Sequence, residues 1–173
     1  MKKLLIIVLL LAALTSVAFA SPQQTPQDLC LLRLTPYMDI VRDAGLRPSV
    51  LLAQAAIETG WCRSDAVRWN NYWGIKCMGY GTCFAKSTWE IYDGKYWSGM
   101  KLFQAFDSAS EGIQAYCRKI LYQKEYQDMD YTDLNTYIET LAKVWATDPD
   151  YAKKLKVIIK RYGLIKYDRS EVP

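Results

Sequence analysis

The chain has 173 residues, 22 Lys and Arg against 18 Asp and Glu, and a formal charge of +4. Histidine is absent and no dense basic block occurs, which excludes Ser-His-Asp and Cys-His catalysis, His-dependent zinc sites and a nucleic-acid-binding charge balance. Any acid–base work falls to carboxyl groups, and neither a metal nor a cofactor is expected.

In chain order, Lys2 and Lys3 precede an apolar run over residues 4–14, and Ala18-Phe19-Ala20 offers a small-x-small cleavage site. Residues 1–20 read as a secretory signal peptide. An uncleaved anchor is the alternative, although the run is marginal for a span and is interrupted by Thr15 and Ser16. Cleavage leaves residues 21–173 with a side-chain charge of +2 and no membrane segment. That length makes one domain with a single core, and a monomer is expected. Residues 21–27 form a short polar spacer, 28–166 the domain and 167–173 a C-terminal tail.

Apolar positions from Leu29 to Ala44 predict an amphipathic helix, interrupted at Pro36 and ended by Gly45. Pro48 then opens a helix rich in Ala, Leu, Gln and Ile that stops at Gly60. Leu51, Ala55 and Glu58 share one face, apolar until its last turn. There Glu58 meets the negative end of the helix dipole, with Trp61 one turn on. Both neighbours disfavour ionisation, and a carboxyl kept protonated serves as a general acid. The competing reading is a solvated helix-end residue.

Residues 82–106 change period, and Asp93-Gly94 between β-prone residues predicts a hairpin. Glu90 lies on its first strand and faces either the cleft or solvent, according to register. Helices resume at Ser108, which has capping-box spacing to Glu111, and run to about Tyr122. Another spans residues 134–145. Asp148-Pro149 reads as N-cap and first-turn proline of a last helix, ending at Gly163.

The five cysteines (30, 62, 77, 83 and 117) are odd in number, so at least one has no partner within the chain. Spacings give no C-x₂₋₄-C knuckle, and an exported chain favours disulfides over a four-Cys zinc site. Cys77 and Cys83 flank Met78-Gly79-Tyr80-Gly81-Thr82, whose glycines permit a reversal tight enough for a disulfide; two free thiols are the alternative. Among Cys30, Cys62 and Cys117 no pair is chosen.

The stretch "AQAAIETGW" followed by "NNYWGIK" resembles the N-acetylglucosaminidase domains of glycoside hydrolase family 73, which cut bacterial peptidoglycan. "STWEIYDGK" is similar to the family segment that carries a second Glu. "FQAFDSASEGIQAY" is similar to its hairpin-to-helix passage, and "WATDPDYAKKL" to its Tyr-Ala-Thr-Asp-Pro-x-Tyr-Ala signature. These motifs keep the family's order from about Pro48 to Tyr162. One position departs: where the signature begins with Tyr, this chain has Trp145.

The resemblance implies an α+β, mostly helical fold: a lysozyme-like helical lobe with a small β-hairpin lobe flanking the cleft. It implies a secreted or periplasmic enzyme acting on peptidoglycan glycan strands, with Glu58 as proton donor and Glu90 as second participant. Tyr151 is expected to contact the reacting sugar. Trp69, Asn71, Tyr72, Trp73 and Trp145 are expected to bind glycan, although core packing and turn formation are the plainer roles for that aromatic run. If the family's Tyr hydroxyl is catalytic, Trp145 predicts low activity. A muramidase, a lytic transglycosylase and an inactive glycan-binding domain stay open as alternatives.

Overall fold

The helix bearing Glu58 is the axis of the helical body, α3 (Pro48–Thr59). Pro48 stands in its first turn, where the missing N–H has no intrahelical partner to lose, and Gly60 closes it with φ 57°. Ten of its twelve residues are buried, so the apolar face shared by Leu51 and Ala55 is one of several. A helix enclosed by others needs no polar side. The computed structural model describes residues 23–92, 95–131 and 133–169. The expected signal peptide, Asp93-Gly94 and the side chains of 89–92 and 95–97 lie outside the described residues.

Around α3 stand α1 (Pro26–Leu34), α2 (Met38–Asp43), α4 (Ala109–Tyr122), α5 (Leu134–Trp145) and α6 (Tyr151–Arg161). Pro36 interrupts the first helical stretch as expected, inside a 3₁₀ turn, Thr35–Tyr37. Thr25 and Asp28 form a capping box, so α1 begins within the segment read as a polar spacer. Ser108 caps α4 by accepting the Glu111 N–H at 3.2 Å. Gly112 in α4 lies so close to the α3–hairpin connection that a Cβ there would sit 2.3 Å from the Asn70 carbonyl oxygen.

Two further boundaries differ from the sequence reading. Asp148 does not cap α6: its carboxylate accepts the Asp150 N–H at 2.9 Å and its carbonyl the Tyr151 N–H at 3.1 Å. Asp148-Pro149 is therefore a turn ahead of the helix, and Tyr151 becomes its first residue. The supposed tail is anchored as well. The Asp168 carboxylate accepts from Ser49 N at 2.7 Å and Ser49 Oγ at 2.8 Å. It supplies the start of α3 with the acceptor that Arg47, at the N-cap, lacks. Arg42 donates to the Tyr167 carbonyl nearby.

The second lobe is one antiparallel hairpin, β1 (Cys83–Tyr92) and β2 (Lys95–Gln104), with Tyr92 opposite Lys95 and Glu90 opposite Trp97. The architecture is thus mostly helical with a small β-lobe, as the sequence predicts. Ala66, Phe84 and Phe103 make a minor core under the hairpin. Two disulfides cross-link the chain, Cys30–Cys62 between α1 and the loop after α3, and Cys77–Cys83 at the hairpin base. Chain-entropy arguments assign roughly 4 kcal/mol to the first loop and roughly 2 to the shorter second. Cys117 is buried without a disulfide partner, and burial pushes its thiol up to about 11, which keeps it protonated and inert near neutral pH.

Candidate active site

Glu58 sits in the last turn of α3, half-buried at the seam between the two lobes. The chain leaves that turn through three successive left-handed residues, Gly60, Trp61 and Cys62, with φ of 57°, 61° and 59°. Only the first is a glycine, so the other two are held by their surroundings. Cys62 is tied to Cys30, and the Trp61 ring packs against Tyr162 with centroids 4.4 Å apart. The aromatic side chains that hydrogen-bond to Glu58 are Trp145 and Tyr151, from α5 and α6.

Both donate to the same oxygen. Trp145 Nε1 lies 3.0 Å and the Tyr151 hydroxyl 2.6 Å from Glu58 Oε1. Among the described residues, Oε2 has no hydrogen-bond partner. Burial, followed by the charge and hydrogen bond of Glu58, pushes the Tyr151 phenol far above its ordinary range, so it remains a donor. Behind it, Gln54 Nε2 donates to the Tyr151 hydroxyl at 3.3 Å, and the Tyr116 hydroxyl donates to Gln54 Oε1 at 2.5 Å.

Glu58, Trp145 and Tyr151 line a cleft of about 1450 Å³ between the lobes. Lys76, Cys77, Met78, Tyr80 and Lys86 form its hairpin side, so the Cys77–Cys83 disulfide fastens that wall. Lys86 donates to Ser64 Oγ at 3.0 Å. Arg118, Lys119 and Tyr122 of α4 form the opposite side, with Tyr126 beyond them. Lys119 stands 5.3 Å from the Tyr126 ring and 5.5 Å from the Trp145 ring. Partial burial lowers the pKa of its ammonium, opposed by the charge of Glu125.

Of the remaining sequence-derived binding candidates, Asn71, Tyr72 and Trp73 border the same cleft while making most of their contacts with protein, and Trp69 does not border it. Trp69 is 42% exposed and stacks on Phe84 at 5.5 Å. Asn71 is fully buried, and its amide is consumed by protein. Nδ2 donates to the Ile75 and Gln104 carbonyls and Oδ1 accepts the Ile75 N–H, clamping the connection onto β2. Trp73 is buried and donates its indole N–H to the Leu51 carbonyl at 3.1 Å, so its main partner is the core. Tyr72 packs beside it, with its phenol pKa raised by burial. Asn71 and Trp73 thus border the cleft with their polar groups already spent on backbone partners, as irregular backbone at a lobe junction requires. The Glu90 side chain lies outside the described residues.

Tyr80, Arg118, Lys119, Tyr122 and Tyr126 escape sequence reasoning. Tyr122 is 73% exposed and Tyr80 63%, yet both border the cleft. The signal was there for α4 only: Arg118, Lys119 and Tyr122 close an amphipathic helix whose apolar face is buried.

A carboxyl with one oxygen held by two donors and the other without a partner among the described residues thus stands in a cleft between a helical body and a β-hairpin, an arrangement of the lysozyme-like class. The Glucosaminidase family, described as mannosyl-glycoprotein endo-beta-N-acetylglucosaminidase, matches residues 35–164, and the chain belongs to this family of glycoside hydrolases, family 73. The chain is 31% identical over 131 residues to the exo-glucosaminidase LytG of Bacillus subtilis, covering 70% of this chain and 46% of that protein. It is 29% identical over 160 residues to an autolysin of Enterococcus faecalis, covering 86% of this chain and 22% of that protein. The chain thus spans less than half the length of these relatives. Its fold matches the catalytic domain of the autolysin Auto from Listeria monocytogenes with a TM-score of 0.76 and 27% identity, covering 87% of this chain and 92% of the other.

Proposed function

We propose that the chain is an exported peptidoglycan hydrolase that cuts β-1,4 bonds on the reducing side of N-acetylglucosamine, with Glu58 as general acid. The observation that carries this reading is the asymmetry of Glu58, whose Oε1 is occupied by Trp145 and Tyr151 while Oε2 has no partner among the described residues. The proton on Oε2 passes to the glycosidic oxygen as the C1–O bond breaks, and the bonding electrons leave with that oxygen. Water then supplies hydroxide to C1, and its remaining proton restores the acid. Glu90 is the candidate for base, nucleophile or electrostatic stabiliser, with assistance by the substrate's 2-acetamido group as the other route.

Tyr151 and Trp145 hold the acid, and the exposed rings of Tyr80 and Tyr122 offer faces for the apolar C–H sides of pyranose rings. The cleft volume suits a segment of glycan strand. The relatives' names, an exo-glucosaminidase and an autolysin, support a wall substrate and a location in the cell envelope or outside the cell. Among the described residues, no helix is long and apolar enough to cross a membrane. The protein is expected to act as a monomer.

The test is digestion of purified peptidoglycan, followed as turbidity loss, with products analysed by mass spectrometry. Reducing-end N-acetylglucosamine supports the proposal. Reducing-end muramic acid or a 1,6-anhydro product would replace it with a muramidase or a transglycosylase. Binding without products would leave a glycan-binding domain.

A further inference from the structure

The hydrogen bonds behind Glu58 form a chain with one direction, and each link fixes the next. A carboxylate only accepts, so the Tyr151 hydroxyl, 2.6 Å from Oε1, must donate its single proton to Glu58. Tyr151 then offers only lone pairs to Gln54, which requires the Gln54 NH₂ on that side, as found at 3.3 Å. The Gln54 carbonyl must accordingly face Tyr116, which donates to it. Gln54 and Tyr116 are fully buried and Tyr151 is 4% exposed, so turning the amide over means rotating buried hydroxyls with it.

We propose that Gln54 is a positioning residue: by holding Tyr151 as an acceptor toward itself and a donor toward Glu58, it keeps the transferable proton of Glu58 on Oε2. The inference rests on Glu58 being the proton donor. A proton on Oε1 would face the Tyr151 hydroxyl and the Trp145 indole N–H. Trp145 can only donate. Tyr151 could receive that proton only by sending its own toward Gln54, where an N–H already points. Donor would meet donor at both contacts. The acid is therefore protonated on Oε2, which has no partner among the described residues, and after transfer the two donors remain on the resulting carboxylate.

Tyr116→Phe and Gln54→Met test this, each alone and in a Tyr151→Phe background, with purified peptidoglycan strands as substrate. Tyr116→Phe preserves the core shape but releases the Gln54 carbonyl to turn toward Tyr151 and compete for its proton. Each single variant is expected to lower kcat about tenfold with KM within about twofold, the scale of one hydrogen bond. In the Tyr151→Phe background neither change should cost more, because both act through that hydroxyl. Wild-type kcat in folded Tyr116→Phe, or full additivity with Tyr151→Phe, would overturn the proposal. If Gln54→Met does not fold, Tyr116→Phe alone decides.

The hydroxyl proton of Tyr151, observed by NMR, is a readout independent of turnover. It should lie downfield in the wild type and move upfield in Tyr116→Phe. An unmoved resonance refutes the relay. A wild-type protein inactive on every strand, with the resonance behaving as described, would instead refute the glycosidase reading.

Discussion

Replacing Glu58 by Gln exchanges one oxygen for an NH₂ group, and the neighbouring hydrogen bonds determine which oxygen. Trp145 and Tyr151 both donate to Oε1, so the amide carbonyl must take that position and the NH₂ group that of Oε2. Both hydrogen bonds survive, but with a neutral acceptor. Bonds to charged groups contribute about 1.5–3 kcal/mol and neutral ones about 0.5–1.5, so two bonds lose at most roughly 2–3 kcal/mol. Discharging a half-buried carboxylate offsets part of that, and the melting temperature should fall by no more than about 10 °C. Catalysis responds differently, because the amide has no proton to give. Loss of the general acid should lower kcat by about 10²–10⁴, equivalent to roughly 2.7–5.4 kcal/mol of barrier. The assay is the initial rate of reducing-end release from purified peptidoglycan, beside a melting curve and co-sedimentation with the same glycan. A folded, glycan-binding Glu58→Gln within tenfold of the wild-type rate would refute the assignment of the acid.

Trp145→Phe removes an N–H donor from Glu58 and should lower kcat/KM by about 10–100-fold, the range of a hydrogen bond to a charged group; an unchanged value would make Trp145 a packing residue only. Trp145→Tyr, which restores the family's usual residue, should keep more activity than Trp145→Phe, and equal loss in both would show that no donor is needed there. Glu90→Gln should slow the reaction less than Glu58→Gln does, and unchanged kinetics would return Glu90 to an ordinary strand residue. Gly112→Ala puts a Cβ 2.3 Å from the Asn70 carbonyl, a contact that must push the α3–hairpin connection away from α4. Overpacking of this kind costs about 1–3 kcal/mol, or a melting temperature lower by roughly 2–12 °C. A variant that melts with the wild type would show that the junction yields freely.

Local chemistry carried much of the architecture into the sequence. Pro48 and Gly60 bracket α3, Ser108 and Glu111 open α4, and β-prone residues surround Asp93-Gly94; each signal is complete within a few residues. The Cys77–Cys83 bridge was legible for the same reason, since a short loop with two glycines leaves the pair few other geometries. Glu58 was legible through the wording around it. Pairings across long separations were not. Cys30 meets Cys62, and Asp168 reaches Ser49 across 119 positions, only once the helices have packed. The binding residues divide in the same way. An aromatic or an Asn in a turn has the same local signature whether it faces core or cleft, and packing turned Trp73 inward and spent Asn71 on three backbone groups. What the sequence determined by itself is a carboxyl group at the end of a helix with an apolar face, followed by a hairpin. What only the tertiary structure decided is the acid's surroundings. Gln54, Tyr116, Trp145 and Tyr151 come from four helices, and the direction of their hydrogen bonds exists only when all four converge behind one carboxyl oxygen, Glu58 Oε1, that accepts from Trp145 and Tyr151.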